Sequence, residues 1–224
     1  MSDTPFSPHS FPASALASPD SAEDEAEDLD LALMLCTRLC HDLAGSIGAV
    51  NTGAELLEEE GEAFDPETLA LLADSARGAA LRLKVLRMAM GLVRGRQPTL
   101  AEAAEGLGGL LAASGRRFAL GDPAMGDPGA PTVQLLVNLA MVAADVWPKA
   151  AEITLGATED GYGVWARGAA GPPGAPWDRV LAVRGDAADP RTVQAWLTKR
   201  LAARLGMAIL IPSSQAGTLL LTRR

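Results

Sequence analysis

The sequence predicts an α+β protein with an N-terminal antiparallel helical hairpin and a C-terminal α/β sandwich of helices and antiparallel strands. Three observations support this fold class: two long heptad patterns, a change of pattern after residue 97, and short strand-like runs towards the C-terminus. Of the 224 residues, 48% are hydrophobic but only 4% are aromatic, so the core must consist mainly of aliphatic side chains. We expect three segments: a disordered acidic tail (1–27), the hairpin (28–97) and the α/β domain (98–224).

The tail carries most of the net negative charge of the chain. Its prolines and acidic run leave too little apolar surface for ordered packing. The alternative is a leader that ends in a helix N-terminus, where acidic residues suit the helix dipole. Residues 1–30 contain eight acidic residues and no basic residue, and the formal net charge of the whole chain is -9. The remainder is therefore nearly neutral, which argues against nucleic acid as a partner. Since no apolar stretch is long enough to span a membrane and no signal peptide is evident, we expect a cytoplasmic protein without a membrane partner.

Two heptad patterns predict the helices of the hairpin. The first predicts a helix of about thirty residues, well beyond the average length in globular proteins. The second helix is predicted to begin at Asp65 and Pro66, a helix cap followed by a first-turn proline, and to end near Gly95. The first pattern comprises Leu29, Leu33, Cys36, Cys40, Leu43, Ile47, Val50, Ala54 and Leu57, and the second comprises Leu69, Leu72, Ala76, Ala79, Leu83, Leu86, Met90 and Val93.

A further stripe of apolar and small residues widens the apolar face of the first helix. A single hairpin would leave this stripe exposed, whereas two hairpins packed as a four-helix bundle would bury it. We therefore expect a homodimer formed through the hairpin. The stripe consists of Ala32, Leu35, Leu39, Ser46 and Gly53.

The pattern after residue 97 predicts alternating helices and strands. Thr99 is the expected N-cap of a helix that extends to about Ala113. Asp160 and Gly161 form a hairpin-turn signal between two strand-like runs. The expected helices then cover residues 131–147 and 189–205, and the expected strands cover residues 116–120, 152–157, 162–169, 208–211 and 218–222.

His41 is the main candidate for a chemical role. The other histidine, His9, lies in the tail, whereas His41 lies on the exposed shoulder of the first helix. Asp42 follows directly, and a neighbouring carboxylate can orient an imidazole and raise its basicity. Gly45 and Gly48 reduce helix stability, so their presence favours close approach of a partner. The alternative is a surface histidine without a chemical role.

Basic residues of the second helix are expected beside His41. In an antiparallel hairpin, Arg82, Lys84 and Arg87 lie level with it. Charge-assisted hydrogen bonds from such residues would stabilise a phosphoryl group. The alternative is a solvated basic face.

Cys36 and Cys40 are one helical turn apart and are not expected to form a disulfide. A metal site that includes His41 is also disfavoured, because both cysteines belong to the heptad pattern while His41 points away from it.

Two short segments resemble those of sensor histidine kinases. Residues 39–43 and 47–50 resemble the phospho-acceptor box, in which an acidic residue follows the histidine, and residues 134–139 are similar to the start of the asparagine box. Residues 29–224 more closely resemble the ChpT-type histidine phosphotransferases of alphaproteobacteria, in which residues 191–197 also have a counterpart. This resemblance implies a dimerisation hairpin followed by a degenerate ATPase-like domain.

The chain departs from the kinases at the positions that bind nucleotide. Val142 stands where the kinases have the second asparagine, which helps to hold Mg²⁺ on ATP. The glycine-rich segment 168–174 lacks the kinase nucleotide motif and contains Pro172 and Pro173, which cannot donate backbone hydrogen bonds to phosphate. We therefore expect no nucleotide site, no metal site and no cofactor of the chain's own.

The resemblance implies a histidine phosphotransferase in a two-component phosphorelay. His41 would take a phosphoryl group from an aspartate of one receiver domain and pass it to another. Asp42 would orient and polarise His41, and the receiver would supply Mg²⁺. The donor would be the receiver domain of a hybrid histidine kinase, and the acceptors would be response regulators of the CtrA and CpdR kind. Two alternatives remain open: an ATP-dependent sensor-type histidine kinase, and a non-catalytic dimeric scaffold for receiver domains.

Overall fold

The computed structural model describes residues 19–60, 66–91, 98–121, 125–174, 177–182 and 189–223. Over these residues it confirms a mixed α+β protein with six helices and one five-stranded sheet. Most of the predicted tail (1–18), the hairpin turn (61–65) and residues 92–97 lie outside the described residues. The second helix ends at Ala89, before its predicted end near Gly95, and Gly91, which follows it, has a positive φ of 67°. The elements are α1 (Pro19–Glu60), α2 (Pro66–Ala89), α3 (Leu100–Ala112), β1 (Arg117–Leu120), α4 (Ala130–Val146), β2 (Glu152–Thr158), β3 (Gly161–Arg167), α5 (Trp177–Ala182), α6 (Val193–Arg204), β4 (Met207–Leu210) and β5 (Thr218–Arg223).

Helix α1 begins earlier than the heptad pattern predicts. It extends over 42 residues from Pro19, so residues 19–27 of the predicted disordered tail are helical. Acidic residues suit this end of the helix, where free backbone N–H groups carry partial positive charge. Asp28 and Glu27 also lie 2.7 and 3.8 Å from the guanidinium of Arg200 in α6. The heptad pattern contains no sign of this distant attachment.

The two apolar stripes of α1 are not cleanly separated into an inner and an outer side: Leu43 of the first and Leu39 of the second pack against the same buried cluster. Gly53 is buried, and a Cβ there would lie 3.2 Å from Leu72 Cδ1, so α1 and α2 approach closely at this glycine. Leu35 and Leu39 pack against the buried core. The first heptad pattern is instead exposed at Leu29, Leu33, Cys36, Cys40 and Ile47. The period of a pattern does not indicate which of two apolar stripes faces the neighbouring helix, and here the smaller residues permit the closer contact.

The sheet has the strand order β1-β2-β3-β5-β4. The pairs β2–β3, β3–β5 and β5–β4 are antiparallel, as expected, but β1 is parallel to β2 because α4 lies between them in the chain. Helices α4 and α6 pack against the sheet, and the shared core includes Leu136, Leu139, Ile153, Val164 and Leu219. The short helix α5, which buries Val180 and Leu181, was not predicted.

The C-terminal part of α2 belongs to the core of the α/β domain. Val85 and Met88 are buried together with Leu107 of α3 and Val137 of α4. Thr99 caps α3 as predicted: its Oγ1 accepts from the Glu102 backbone N–H at 3.3 Å, and the Glu102 carboxylate accepts from the Thr99 backbone N–H at 3.0 Å. The hairpin and the α/β domain therefore share buried surface close to the level of His41.

Candidate functional site

His41 is an exposed residue in the middle of α1. Its side chain is 87% exposed, and its Nδ1 lies 3.6 Å from Asp42 Oδ1. Gly45 and Gly48 follow one and two turns later on the same face of the helix. A Cβ at either glycine would meet no atom within 4 Å. The helix thus presents an imidazole beside a surface without projecting side chains, which a partner can approach closely.

Asp42, unlike His41, is largely buried and is held by a basic side chain. Arg38 Nε donates to Asp42 Oδ2 at 2.8 Å, and Arg38 Nη2 donates to Asp145 Oδ2 in α4 at 2.8 Å. Arg38 Nη1 also donates to the Arg191 carbonyl oxygen, just before α6, at 3.2 Å. Neither Arg38 nor Asp145 was predicted from the sequence as a site residue. The spacing of Arg38 and Asp42, one helical turn apart, was a signal for the first pair, but nothing local indicates Asp145.

The two carboxylates around Arg38 determine the electrostatics of this site. Burial lowers the pKa of Arg38, but the attraction of Asp145 and the hydrogen bonds to both carboxylates outweigh burial and raise it above its ordinary value. Burial raises the pKa of Asp145, and Arg38 opposes this effect only in part. Arg38 is therefore permanently charged, and it is the cation that permits two acidic side chains to lie close together.

The three basic residues predicted to surround His41 lie on two different sides of α2. Arg82 Nη1 donates to the Asp42 carbonyl oxygen at 3.3 Å, so its guanidinium lies beside the turn that carries His41. The Lys84 ammonium is instead 3.6 Å from Glu105 Oε2. Lys84 and Arg87 line a groove of about 330 Å³ between α2 and α3. Of the three, the structure brings Arg82 to the backbone beside His41.

No group of three or more histidine, cysteine, aspartate or glutamate residues within the described ranges is arranged to hold a metal ion. Cys36 and Cys40 are both free and exposed in the single chain. Among the helices that the structure describes, none is long and apolar enough to cross a membrane.

A family model for the histidine phosphotransferase C-terminal domain matches residues 100–217. The chain belongs to this family. Over 63 residues it is 49% identical to the protein phosphotransferase ChpT of Brucella abortus (strain 2308), an alignment that covers 28% of this chain and 29% of that relative. A solved structure of a bacterial phosphotransferase superimposes with a TM-score of 0.67 at 27% identity and covers 86% of this chain and 95% of that one. The resemblance to ChpT-type histidine phosphotransferases is confirmed.

In this histidine phosphotransferase family member, Asn138, which lies in the segment that resembles the kinase asparagine box, has a structural role. Asn138 is fully buried, and its Nδ2 donates to the Ala89 carbonyl oxygen at 2.7 Å and to the Gln134 carbonyl oxygen at 2.8 Å. Its Oδ1 accepts a hydrogen bond from Gln194 Nε2 of α6. Since Ala89 is the last residue of α2, Asn138 joins the end of the hairpin to α4 and α6.

Proposed function

We propose that this chain relays a phosphoryl group between receiver-domain aspartates in a two-component phosphorelay, with His41 as the phosphorylated intermediate. The observation that carries the proposal is an exposed imidazole beside a fixed carboxylate, on a helical hairpin attached to a domain of the histidine phosphotransferase family. The donor is the receiver domain of a hybrid histidine kinase, and the acceptors are response regulators of the CtrA and CpdR kind. The exchange takes place in the cytoplasm.

The transfer is an in-line displacement at phosphorus. The lone pair of His41 Nε2 attacks the aspartyl phosphate of the donor, and the bond between phosphorus and the aspartyl oxygen breaks, so that its electron pair remains on the carboxylate. In the second half, a carboxylate oxygen of the acceptor attacks phosphorus and the electron pair of the P–N bond returns to Nε2. The Nδ1 proton stays in place throughout, next to Asp42, whose charge stabilises the phosphoimidazolium. The receiver supplies Mg²⁺ in both halves.

Arg82 is the basic residue whose position best suits the phosphoryl charge. Its hydrogen bond to the Asp42 carbonyl places a guanidinium next to the turn of His41, whereas Lys84 contacts Glu105 on α3. A guanidinium near the transferred group would add charge-assisted hydrogen bonds to its oxygens. Lys84 and Arg87, which the sequence placed in the same role, are assigned a smaller effect on transfer because they line the groove towards α3.

The surface beyond His41 fits the docking of a receiver domain. Gly45 and Gly48 are exposed, and none of the residues that the structure describes occupies the space of their absent side chains. Two glycines in the interior of a helix reduce its stability by about 1 kcal/mol each relative to alanine. Packing within the chain gives no reason for that loss, whereas the close approach of a partner to His41 does.

The hairpin is the surface through which two copies assemble into a homodimeric four-helix bundle. Most of the large hydrophobic side chains that are exposed on the described residues lie on α1 and α2. Leu29, Leu33 and Ile47 belong to the first heptad pattern and form an exposed apolar stripe on α1, and soluble monomers rarely expose large contiguous apolar patches. Two hairpins packed along this stripe would bury it. The exposed set is Leu29, Leu33, Ile47, Leu56, Leu69, Leu71 and Leu83.

The α/β domain is a degenerate ATPase-like domain that binds no nucleotide. Two buried residues support this proposal: Val142 replaces the second metal-holding asparagine, and Asn138 uses its amide to join α2, α4 and α6. Neither offers a free side-chain oxygen to a metal ion, since valine has none and Asn138 Oδ1 accepts from Gln194. We assign to this domain the positioning of the hairpin and a part of the receiver contact.

The relay is tested with two receiver domains and no ATP. A receiver domain of a hybrid histidine kinase is charged with radiolabelled acetyl phosphate, freed of the reagent and mixed with the full chain and Mg²⁺. We expect label on the chain within minutes and its movement to a second, uncharged receiver domain of a response regulator. Retention of all label on the first receiver would contradict the proposal, and so would labelling of the chain by ATP alone, which would indicate a kinase.

A further inference from the structure

Arg38 controls the direction in which Asp42 faces His41. Arg38 Nε holds Asp42 Oδ2 at 2.8 Å, while the other oxygen, Oδ1, lies 3.6 Å from His41 Nδ1. The carboxylate is planar, so fixing one of its oxygens largely fixes the direction of the other. Without Arg38, the aspartate side chain could turn to other rotamers and lose its alignment with the imidazole.

Arg38 is itself held in place from the α/β domain. Its guanidinium donates in three directions: to Asp42, to Asp145 Oδ2 at 2.8 Å and to the Arg191 carbonyl oxygen at 3.2 Å. Because the guanidinium is planar and its donors have a fixed geometry, three partners leave it a single orientation. An ammonium group, with its point charge and flexible stem, could not reproduce this geometry.

A negative charge at Asp145 is energetically unfavourable. Burial raises its pKa, and the nearby Asp42 acts in the same direction, while Arg38 and Arg116 oppose both effects. Asp145 also lies in the last turn of α4, where a negative charge is unfavourable to the helix dipole. Although its side chain is 31% exposed, a carboxylate in such surroundings is destabilising unless hydrogen bonds compensate for the partial loss of water. Arg38 Nη2 donates such a bond to Asp145 Oδ2 at 2.8 Å.

We propose that Arg38 and Asp145 are positioning residues for phosphoryl transfer at His41. The series Asp145–Arg38–Asp42 orients Asp42 so that it faces the proton on His41 Nδ1 and leaves Nε2 unprotonated and directed at the receiver. This inference rests on the proposed function of the same site. Because Asp145 belongs to α4, it gives the α/β domain a direct part in the chemistry of a histidine on the hairpin.

Three variants and one matched control test the positioning by kinetics. The test variants are Arg38→Gln, Arg38→Lys and Asp145→Asn. The control is Arg200→Gln, since Arg200 also joins the α/β domain to α1, through Glu27 and Asp28. We expect each test variant to slow transfer at saturating phosphorylated receiver domain by about ten-fold, with the half-saturating concentration changed by less than about two-fold. Arg38→Lys should not restore the rate, and Arg200→Gln should transfer like the wild type.

A second readout needs no phosphoryl donor. Only two histidines are present, so long-range ¹H–¹⁵N correlation spectra can assign the tautomer of His41. Neutral His41 should carry its proton on Nδ1 in the wild type and in Arg200→Gln, and should shift towards the Nε2 tautomer in Arg38→Gln and Asp145→Asn. Folding of each variant is checked by circular dichroism.

The two readouts also separate the two proposals. A wild-type His41 protonated mainly on Nε2 would overturn the inference, even if every test variant failed to fold. Folded Arg38→Gln and Asp145→Asn variants that retain both the wild-type transfer rate and the wild-type tautomer would overturn it as well. Failure of the wild type to accept phosphate from any charged receiver domain would instead overturn the proposed function, whatever the tautomer.

Discussion

At the scale of single residues, the site combines one free side chain with several fixed ones. His41 is 87% exposed, whereas its neighbour Asp42 and the arginine that holds it, Arg38, are only 14% and 16% exposed. An exposed nucleophile can enter the active site of another protein, and buried neighbours can orient it without moving. Surface exposure also separates function from stability, because substitutions at such positions seldom change the free energy of unfolding by more than about 0.5 kcal/mol.

The different surroundings of Arg82, Lys84 and Arg87 predict different effects of their alanine variants on the rate of phosphoryl transfer. Arg82→Ala should slow phosphoryl transfer by about ten-fold, the effect of losing one charge-assisted hydrogen bond in the transition state. Lys84→Ala and Arg87→Ala should change it by less than about three-fold, since their side chains line the groove towards α3. Single-turnover rates at saturating receiver domain provide the measurement. Equal losses of transfer rate in all three variants would contradict this comparison, because they would show that the three positive charges act together at long range.

At the scale of the secondary-structure elements, α1 has three faces with different tasks. One packs against α2 at Gly53, one exposes the apolar stripe with Leu33 and Ile47, and one presents His41 above Gly45 and Gly48. A regular helix of 42 residues keeps these faces separate along its length.

The glycines of the third face should show a conflict between stability and function. Gly45→Leu should raise the free energy of unfolding by roughly 0.7 kcal/mol, because leucine is a better helix former and the site is open. It should also weaken binding of a receiver domain, since a bulky side chain then stands one turn from His41. Gly108→Leu in α3 is the control, as a Cβ there is equally unobstructed. Titration calorimetry that finds equal receiver affinity for both variants would contradict the docking surface.

Helix α6 begins after a turn whose stability depends on pH. Asp189 Oδ1 accepts from the backbone N–H groups of Arg191 and Thr192, both at 2.8 Å. Although its partial burial acts in the opposite direction, these bonds lower the pKa of Asp189 below its ordinary value. Their contribution is therefore complete above the ordinary aspartate pKa of about 3.9 and is lost as the pH falls through the lower folded-state pKa.

Asp189→Asn provides the measurement, because asparagine does not titrate. The wild type should unfold with the higher free energy at neutral pH, and the difference should shrink in acid. A difference that stays constant down to acid pH would show that the charge of Asp189 is irrelevant to the turn.

The sequence predicted where the helices lie better than which side of each helix faces its neighbours. Heptad spacing and caps such as Thr99 are local signals, and they located both long helices and α3 to within a few residues, apart from the early start of α1 and the early end of α2. The pairing of Arg38 with Asp145 spans 107 positions and has no local signal. His41 and Asp42 could be selected because they are adjacent in a recognisable motif. Which side of α2 Lys84 faces depends on the packing of α3, which no periodicity reveals.

At the scale of the whole molecule, two of the polar contacts that attach the hairpin to the α/β domain involve buried or half-buried side chains. Arg38 forms the first, and the second is Asn138, which together with Gln134 donates to the Ala89 carbonyl oxygen at the end of α2. Buried polar groups that are fully paired restrict a structure to one arrangement. We therefore expect His41 and the α/β domain to move as one body, so that a receiver meets both at once.

The exposed stripe of α1 leads to a prediction about assembly. The chain should be a dimer at micromolar concentration by light scattering, and mild oxidation should link two chains through Cys36 or Cys40, which lie on the same stripe. Leu33→Glu combined with Ile47→Glu should yield a monomer. Leu210→Glu, at an exposed leucine on β4, is the control and should remain dimeric. A monodisperse wild-type monomer would contradict the four-helix bundle.

The central claim, that His41 carries the phosphoryl group, is tested most directly by mapping the phosphate. The chain is incubated with a phosphorylated receiver domain, digested at neutral pH and analysed by mass spectrometry, beside a His41→Ala variant. We expect one acid-labile, alkali-stable phosphate on the peptide that contains His41, and none on the His41→Ala chain. That variant should be folded, with a free energy of unfolding within about 0.5 kcal/mol of the wild type. Phosphate on the His41→Ala chain, or on another residue of the wild type, would contradict the central claim.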